Sequence, residues 1–597
     1  MTIGAKSQPQ PAAPASSAKP TAPGTLQRWF PAGVWLREYK WGKFTALDLI
    51  AAVSVAALLI PESMGYATVA GVPAQIGLYA TPLALIGYAL FGGSRLLIFG
   101  AAGSVAAVSA GVVGGLSHGN SHQAVEFTAA LALTTGVVFL VAGVARMGWI
   151  SNFMSKAVMA GFITGMAISI IVGQLGKLTG VDAGSGDTFK KLWHVVSQIG
   201  SWNWTAVALG VGSLVLIFAI QRFAPKIPAA LTAVVIASVI VAVVSPSIKL
   251  VAKIPTGLPH LVHVGGVSSS DWVTLLLGGA VVALVGFSEG WGAGQTVSKK
   301  THDELNSDQE FRAYGIGNLG AGLLGGMVCA GSLSKSSVAM SAGAKTQMTS
   351  IFIALIVLLV LLALAPAFQW LPETVLAAIV INAMSGSANP AKLMRIWSVD
   401  HVDFALGLIT GIIVLAWDLL PAMITGIILS VIYLVYKVSF PGRSVLGRVP
   451  ATGDFETMTW DWSGHQGAGN PEAHAVPGVI VYRFNSPLVF SNSEAFKGGG
   501  EKILIEAAND GGLPKTLVVD CEEMFEVDTT GAAAVTSLLH YARRFNVDLA
   551  LCRVHSGARQ ILASEGLIKE LGEDHVYDTV REAVKAVTGE PAHTGGG

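Results

Sequence analysis

Residues 124–145 have the sequence AVEFTAALALTTGVVFLVAGVA, in which Glu126 is the one charged side chain. A helix of about 20 apolar residues is long enough to cross the hydrocarbon core of a bilayer. Similar stretches recur between residues 44 and 440, and of all 597 residues 52% are hydrophobic and only 12% are charged. Soluble domains carry roughly a quarter of their residues as Asp, Glu, Lys or Arg. The composition therefore predicts an all-α polytopic membrane domain.

The predicted membrane spans are of three kinds. Ten segments are clear by length and apolar content: 45–60, 74–91, 124–145, 153–172, 207–220, 231–244, 273–287, 351–365, 404–417 and 422–438. Two weaker segments are 313–328 and 375–384, and two short segments rich in Gly and Ser are 101–113 and 332–342. The sum is about fourteen spanning elements, two of them broken helices.

Basic residues near the ends of the spans predict the orientation. Arg37, Lys40 and Lys43 precede the first span, and cytoplasmic ends are enriched in Lys and Arg. With fourteen spans, both termini are then cytoplasmic, and the chain is a multi-pass protein of the cell (inner) membrane. Two loops, one with Lys190 and Lys191 and one that begins at Lys249, depart from this rule.

The two short segments resemble each other in sequence and position. AGS at 102–104 leads to SAG at 109–111, and AGS at 330–332 leads to SAG at 341–343. Each is the third span of its half. Since seven spans per half is an odd number, the halves are predicted to form a 7+7 inverted repeat. Paired interrupted helices at matching positions are typical of a transporter's binding site. The alternative is chance recurrence in a chain with 70 glycines.

The chain after residue 440 has the pattern of a soluble α/β domain. Predicted strands at 479–484, 516–519 and 549–553 alternate with predicted helices at 493–508 and 530–544. The predicted division is a disordered cytoplasmic tail (1–40), a transport domain (41–440), a connector (441–476), the α/β domain (477–590) and a second disordered tail (591–597).

Several classes of function are excluded by what the sequence lacks. The formal net charge is zero and no basic stripe is present, which argues against a nucleic-acid partner. Cys329, Cys521 and Cys552 lie too far apart for a metal cluster and are predicted to be buried, inert thiols. The sequence has no phosphate-binding Lys–Ser/Thr loop, which argues against an ATP-driven pump. We expect no enzyme activity, no cofactor and no metal.

Three groups of residues resemble signatures of the SulP anion transporters with a C-terminal STAS domain. The first is PESMGYA at 61–67, GLY at 77–79 and FGGSR at 91–95. The second is NL at 318–319, GSLSKS at 331–336 and AGAKTQ at 342–347. The third, VD at 519–520 and VDTTG at 527–531, resembles the STAS domain related to anti-sigma-factor antagonists. The resemblance covers about residues 45–587 in the expected order.

The resemblance implies an architecture and a place for the substrate. It implies a core domain (spans 1–4 and 8–11) that moves in an elevator-like way against a gate domain (spans 5–7 and 12–14), usually in a homodimer. It places the substrate between Ala102–Gly103 and Leu333–Ser334, beside Glu62 and Tyr66 of the first span.

The residue types at this place suit an anion. Two half-helix N-termini would present free backbone N–H groups and two positive dipole ends. Gly103 permits close approach of the backbone, and Ser104, Ser332 and Ser334 supply hydroxyl donors. The alternative is that these small residues only let helices pack closely.

Lys335 is the single basic residue within an apolar stretch. A buried charge is costly unless it has a partner or a function. Many relatives carry Arg at this position, and we expect Lys335 to offset part of the anion's charge. The alternative is that its ammonium group extends to the membrane interface.

Glu289 follows GFS at 286–288, at the predicted end of the eighth span. The resemblance links this position to cation coupling, and a Glu indicates protons. Sodium coupling is typical of an Asp with a Thr one turn later, whereas this chain has Ala293 there. The alternative is a structural salt bridge between Glu289 and Lys335.

Two further residues carry predictions. Glu62 departs from the Gln common in much of the family, and a second acid near an anion site must be protonated, paired or turned away. This favours proton coupling over simple exchange. Thr529 stands where antagonist relatives have a phosphorylated Ser, which makes it a candidate for regulatory phosphorylation. The alternative is that Asp528 and Thr529 only cap a helix.

The sequence therefore predicts a proton-coupled secondary active transporter of sulfate or a similar small oxyanion. One alternative is a bicarbonate or C4-dicarboxylate carrier, coupled to protons or sodium. Another is a membrane anion sensor that signals through its STAS domain. The predicted partners are the anion, protons, the lipid bilayer and a second copy of the chain.

Overall fold

A computed structural model describes residues 30–149, 155–184, 186–225, 227–251, 254–259, 261–262, 264–417, 419–459, 469–510 and 512–589. By their contacts these residues form two compact units, divided between residues 430 and 431, and each is described by itself.

The predicted tails lie largely outside the described residues. Residues 1–29 and 591–597 are not described. The prediction of disorder up to residue 40 is wrong for its last part, where α1 (Ala32–Trp35) is helical. The indole Nε1 of Trp35 donates to the carbonyl oxygen of Ala89 at 3.2 Å, which ties this segment to the first unit.

The first unit consists of helices and one two-stranded ribbon. The elements in its first half are α2 (Lys43–Val69), α3 (Gln75–Phe91), β1 (Ile98–Ala101), α4 (Gly103–Ser117), α5 (Ser121–Val144), α6 (Lys156–Thr179), α7 (Thr188–Ser197), α8 (Trp204–Phe223) and α9 (Ala229–Val244). Those in its second half are α10 (Ser269–Thr301), α11 (Ser307–Leu323), β2 (Cys329–Ser332), α12 (Leu333–Ser341), α13 (Met348–Leu359), α14 (Glu373–Ser385), α15 (Pro390–Trp397), α16 (His401–Ala416) and the first part of α17 (Leu419–Ser439).

Many of these helices have the length and composition of membrane spans. Among the described residues, seven helical segments are long and apolar enough to cross a membrane: α2, α5, α6, α8, α10, α13 with its extension to Trp370, and α17. Shorter apolar helices are α3, α4, α9 and α16. Each of the ten clear predicted stretches overlaps a helix over most of its length, and residues 153 and 154 are not described. The count of fourteen spans and the inverted repeat stay predictions.

Helix α10 corrects the predicted end of the eighth span. The prediction stopped at residue 287 and placed Glu289 at the end, whereas α10 continues to Thr301 and holds Glu289 in its interior. The glycines after Phe287 permit close packing instead of ending the helix. A Cβ at Gly290 would lie 2.3 Å from the hydroxyl oxygen of Tyr314. Two helices, α7 and α15, were not predicted, because they are short and amphipathic.

The helices of the first unit pack in two groups. In the first group, α11 packs against α3 and α5, α13 packs against α2 and α3, and α10 and α12 pack around the ribbon. In the second group, α6 packs against α14 and α16, and α8 packs against α9 and α14. Helix α2 also contacts α9 and α14, so it lies at the boundary between the groups.

A buried carboxylate joins α2 to the start of α13. Asp48 is fully buried. Its carboxylate accepts hydrogen bonds from the backbone N–H of Lys345 at 2.6 Å and from the hydroxyl groups of Thr346 at 2.7 Å and Thr349 at 3.1 Å. Negative charge is favourable at the N-terminus of a helix, where backbone N–H groups lack partners. Asp48 therefore fixes the direction in which α13 leaves its preceding turn.

The second unit contains a six-stranded sheet in the order β4-β3-β5-β6-β7-β8. Its strands are β3 (Arg443–Arg448), β4 (Phe455–Thr457), β5 (Val479–Phe484), β6 (Thr516–Asp520), β7 (Asp548–Cys552) and β8 (Val576–Tyr577). Its helices are α18 (Ser493–Asn509), α19 (Thr529–Arg544), α20 (Ser556–Ser564), α21 (Leu567–Leu571) and α22 (Val580–Thr588). Strands β5 to β8 are parallel, and β3 is antiparallel to its neighbours.

The sheet of the second unit buries both faces. Ile480 and Tyr482 contribute to one apolar cluster, and Val479 and Val481 to another, as the alternation of side chains along a strand requires. All three predicted strands and both predicted helices are confirmed within one residue at each end. The segment predicted as a connector, 441–476, contains β3 and β4 of the sheet.

The contact between α6 and α16 generates a prediction. A Cβ at Gly161 would lie 1.8 Å from the backbone oxygen of Gly407, so Gly161→Ala forces the helices apart. Overpacking of this kind costs about 1–3 kcal/mol, and we expect a lower thermal unfolding temperature in detergent. Gly173→Ala, on the same helix, is the matched control, because no atom lies within 4 Å of its added Cβ. Equal unfolding temperatures for the two variants would contradict the close contact.

Candidate substrate-binding site

The two short helices begin at opposite ends of an antiparallel ribbon. Strands β1 and β2 pair with Ile98 opposite Ser332 and Ala101 opposite Cys329. Helix α4 follows β1 directly and α12 follows β2 directly. Because the strands run in opposite directions, the helices leave the ribbon in opposite directions and their N-termini face its middle. Four residues of strand separate the two helix starts by roughly 10 Å.

Polar side chains from neighbouring helices hold the ribbon. The side-chain oxygen of Asn318, on α11, accepts a hydrogen bond from the backbone N–H of Cys329 at 2.8 Å. Its side-chain nitrogen donates to the backbone oxygen of Cys329 at 3.1 Å. The hydroxyl of Ser336 accepts from the backbone N–H of Ile98 at 2.8 Å and donates to the oxygen of Ser332 at 2.6 Å. These bonds satisfy backbone groups that a buried ribbon would otherwise leave unpaired.

Gln347 supports the approach to β1. Its side-chain amide donates to the backbone oxygens of Ser94 at 2.7 Å and Leu97 at 2.9 Å, and its own oxygen accepts from Ser350. Asn318, Ser336 and Gln347 all belong to the segments that carry the family resemblance. Their role in this structure is to position backbone.

Lys335 is buried and points back from α12 to the end of β1. Its side chain is 1% exposed. The ammonium Nζ donates to the backbone oxygen of Ala101 at 2.9 Å, lies 3.0 Å from Oε2 of Glu62, and is 5.3 Å from the centre of the Tyr66 ring. Long helical side chains lean toward the helix N-terminus, which brings this charge between the two half-helices.

The carboxylate beside Lys335 corrects one of our alternatives. That alternative paired Lys335 with Glu289, whereas the carboxylate that lies 3.0 Å from Nζ belongs to Glu62. Glu62 and Tyr66 are one turn apart on α2, so the helix presents the acid and the ring to Lys335 together.

The side chain of Glu289, a residue of α10, lies beside the start of α4. The hydroxyl of Ser104, the second residue of α4, donates to Oε2 of Glu289. Helix α10 comes this close because it packs against α4 and β2 through glycines. The carboxylate of Glu289 thus accepts the hydrogen bond of a hydroxyl group at a helix N-terminus, a position that favours an anion.

Gly103 is confined between two side chains. A Cβ at this position would lie 2.5 Å from Cε of Met384 and 3.1 Å from Cε1 of Tyr66. Met384 comes from α14, so the first residue of α4 lies where the two helix groups meet. Close packing at Gly103 is therefore a feature of the structure, and the approach of its backbone to an anion stays a prediction.

The structure brings most of the predicted site residues into one cluster. Glu62, Tyr66, Ala102, Gly103 and Lys335 are all buried around the end of β1. Leu333 and Ser334, at the start of α12, are exposed, and the hydroxyl of Ser334 lies 3.1 Å from that of Ser332. Their roles toward a substrate stay predictions.

Three contributors were not predicted. They are the carbonyl oxygen of Ala101, the side chain of Met384 and the supporting amide of Asn318. A carbonyl has no signal in a sequence, and Met384 is one apolar residue among many in its span. Asn318 had a signal, since it is a polar residue in an apolar, Gly-rich stretch.

Thr529 lies in the second unit. It is the first residue of α19 and is exposed. Asp528 is the cap of this helix, since its carboxylate accepts from the backbone N–H of Gly531 at 2.7 Å. Capping by Asp528 is thus observed, and phosphorylation of Thr529 stays a prediction.

Parts of both units match known protein families. Residues 45–410 match the family model described as the sulfate permease family, and residues 470–583 match that of the STAS domain. A protein named as a probable sulfate transporter in Mycobacterium tuberculosis is 31% identical over 565 residues, which cover 94% of this chain and 98% of the relative. The chloroplastic sulfate transporter 4.1 of Arabidopsis thaliana is 27% identical, over 93% of this chain and 82% of the relative.

Solved structures match the fold. The murine Solute Carrier 26 family member A9 anion transporter, in an inward-facing state, superposes with a TM-score of 0.84 at 20% identity, covering 96% of this chain and 97% of that one. The transmembrane domain of a cyanobacterial bicarbonate transporter superposes with a TM-score of 0.57 at 20% identity, covering 66% of this chain and 98% of that one. The polytopic helical unit followed by an α/β STAS unit is therefore confirmed.

The hydroxyl of Ser336 generates a prediction about the ribbon. Ser336→Ala leaves the backbone N–H of Ile98 without this acceptor, and an unsatisfied buried donor costs about 1–3 kcal/mol. Since the ribbon positions both helix starts, we expect sulfate binding to purified protein to weaken about tenfold, which is about 1.4 kcal/mol. Ser341→Ala is the control, because Ser341 is the exposed last residue of the same helix. Unchanged binding in Ser336→Ala would mean that the ribbon does not position the site.

Proposed function

Because this chain belongs to the sulfate permease family and carries a C-terminal STAS domain, we propose that it is a proton-coupled secondary active transporter of sulfate or a similar small oxyanion. Membership makes it a multi-pass membrane transporter of anions and not an enzyme. The observation that carries the proposal is the meeting of two half-helix starts and the buried Lys335 at one ribbon.

The site suits an oxyanion for electrostatic reasons. The free N–H groups and dipoles of α4 and α12 offer hydrogen bonds and partial positive charge. Lys335 adds a full positive charge that is held by the oxygen of Ala101. The hydroxyls of Ser104, Ser332 and Ser334 add donors that an oxyanion needs to replace its hydration. Carboxylates would be bound by the same groups, so a counterflow panel of labelled sulfate, bicarbonate, succinate and chloride decides the substrate.

Glu289 is the proposed coupling acid. Its carboxylate accepts a hydrogen bond from the hydroxyl of Ser104 at the start of α4, where the anion would also bind. An anion and an ionised carboxylate on the same donor repel each other, so a proton on Glu289 favours anion binding. A proton carried with the anion also offsets the membrane potential, which opposes inward movement of negative charge.

The proposed movement is a displacement of the first helix group against the second. Helices α4, α10 and α12, together with α2 at the boundary between the groups, carry the proposed site residues, are linked by mutual contacts and would move as one body. Met384 of the second group touches the site at Gly103 and would stay behind. We propose that the protein works as a homodimer, as the resemblance implies, with the STAS unit in a regulatory role that includes phosphorylation of Thr529.

The coupling role of Glu289 can be tested in proteoliposomes. We expect Glu289→Gln to keep exchange of labelled sulfate and to lose accumulation driven by an inward proton gradient, because an amide cannot exchange a proton. Glu126→Gln is the control, because Glu126 is also an acid on a helix long and apolar enough to span the membrane, α5, but pairs with His122 of the same helix, which is not a proposed site residue. If proton-driven accumulation persists in Glu289→Gln, the coupling acid is a different residue.

The charge of Lys335 can be tested by comparing anions. We expect Lys335→Ala to weaken binding of sulfate more than that of a monovalent anion, because the Coulomb energy with a divalent anion is about twice as large. Lys335→Arg keeps the charge and is expected to retain most binding. Lys300→Ala, at the exposed end of α10, is the control. Equal losses for the two anions in Lys335→Ala would make the lysine a purely structural residue.

A further inference from the structure

We propose that Glu62 is a second proton-binding residue of the transport site, so that one divalent oxyanion moves together with two protons. This inference rests on the proposed function and adds a stoichiometry to it. It comes from the way in which two internal carboxylates occupy the positions that an anion would need.

Each cationic or donor element of the site already has a carboxylate on it. Lys335 lies 3.0 Å from Oε2 of Glu62. Ser104, at the start of α4, donates to Oε2 of Glu289. An incoming oxyanion must share or replace both contacts, and each carboxylate that stays ionised repels it. Protonation is the change that removes this repulsion without moving a helix.

The contact between Glu62 and Lys335 is suited to release. Within the described part of the chain, Oε2 of Glu62 accepts no hydrogen bond, although it lies 3.0 Å from the ammonium group. The two groups thus form an ion pair without the directional bond that would hold the carboxylate in place. The directional bond of Lys335 goes to the oxygen of Ala101. Lys335 therefore keeps its position when Glu62 becomes neutral, and its charge is then free for the anion.

The groups that face Glu62 leave few other places for a proton. The helices packed against α2 are α3, α4, α9, α12, α13 and α14. Of these, α4, α9 and α13 carry no ionisable side chain, and α12 carries only Lys335. The ionisable groups of the other two helices are Tyr79, Tyr88 and Glu373, the last of these at the first residue of α14.

The ionisable groups of α2 itself are Lys43, Asp48, Glu62 and Tyr66. Asp48 is bonded to the turn before α13, and Lys43 is the first residue of the helix. Tyr66 and Lys335 are thus the ionisable groups beside Glu62, and Glu289 of α10 joins the site through its contact with Ser104. Glu62 and Glu289 are the two acids among them.

The charges of these residues give the stoichiometry. With both acids ionised, Lys335, Glu62 and Glu289 together carry one net negative charge. With both acids protonated and a divalent anion bound, the site again carries one net negative charge. The loaded and empty sites then have equal charge, so a complete cycle moves no net charge and the membrane potential does not oppose accumulation. With one proton, each cycle would carry one negative charge against the potential.

The same count predicts which anions are accumulated. A divalent oxyanion with two protons crosses without net charge. A monovalent anion with two protons carries one positive charge, so its uptake becomes electrogenic. Glu62 is therefore a residue that suits the site to divalent oxyanions.

The test measures the number of protons per sulfate with the full-length protein in proteoliposomes. The membrane potential is clamped at zero, a pH gradient is imposed, and the steady ratio of labelled sulfate is recorded. Each coupled proton supports about a tenfold ratio per pH unit. We expect about a hundredfold ratio for the wild type and about tenfold for Glu62→Gln. We also expect no sulfate-dependent current in the wild type and an electrogenic Glu62→Gln. Glu62→Asp, which keeps the proton site, should retain the wild-type ratio.

The outcomes separate the two proposals. A wild-type ratio of about tenfold per pH unit overturns the second proton and leaves proton-coupled transport intact. A wild-type ratio independent of the pH gradient overturns the proposed function itself. A wild-type ratio of a hundredfold that Glu62→Gln leaves unchanged assigns the second proton to another residue and overturns the role of Glu62. If Glu62→Gln does not fold, as judged by size-exclusion chromatography, the wild-type ratio and the Glu62→Asp variant still decide.

Discussion

The pairing of β1 with β2 is the constraint on which the rest of the membrane unit depends. A helix that is interrupted within a bilayer leaves backbone groups that water cannot satisfy. Here four residues of each interrupted segment satisfy one another across the ribbon. Asn318, Ser336 and Gln347 complete the remaining bonds from three other elements. Once the ribbon is fixed, the starts of α4 and α12 are fixed, and with them the donors that we propose for the substrate.

The charge of Lys335 follows from the same geometry. An ammonium group in an apolar environment is tolerated only with partners. The ribbon supplies one partner, the carbonyl oxygen of Ala101, and α2 supplies the other, the carboxylate of Glu62. The first bond ties α12 to the beginning of α4, so the two half-helices are linked through a side chain as well as through the ribbon. The charge that we propose for anion binding thus also contributes to the architecture.

The sequence predicted the helices better than their interruptions. Long apolar runs predicted the seven helical segments that, among the described residues, are long and apolar enough to cross a membrane, because in lipid a backbone has few alternatives to the helix. The ribbon was missed, because four-residue strands have no periodicity to detect. The predicted eighth span ended at residue 287, whereas α10 continues to Thr301, and contacts such as that of Gly290 with Tyr314 make the following glycines packing positions within the helix. The cluster around Lys335 was predicted, but its partner was not, since pairing depends on the rotation of α2.

The hydroxyl of Ser104 and the ammonium group of Lys335 already contact carboxylates of the protein, and this affects the affinity for an anion. An anion does not meet free groups, since Ser104 and Lys335 already have carboxylate partners. The free energy of anion binding is the difference between the interactions that the anion makes and those that it replaces. The apparent affinity is lower than the intrinsic affinity, because only the fraction of molecules in which the carboxylates do not compete can bind the anion. In the proposed mechanism that fraction is set by protonation, so pH would change the apparent affinity without any change in the contacts to the anion. In the proposed mechanism, the residues that compete with the anion are the same residues that bind the protons, so competition at the ribbon is enough to couple the two.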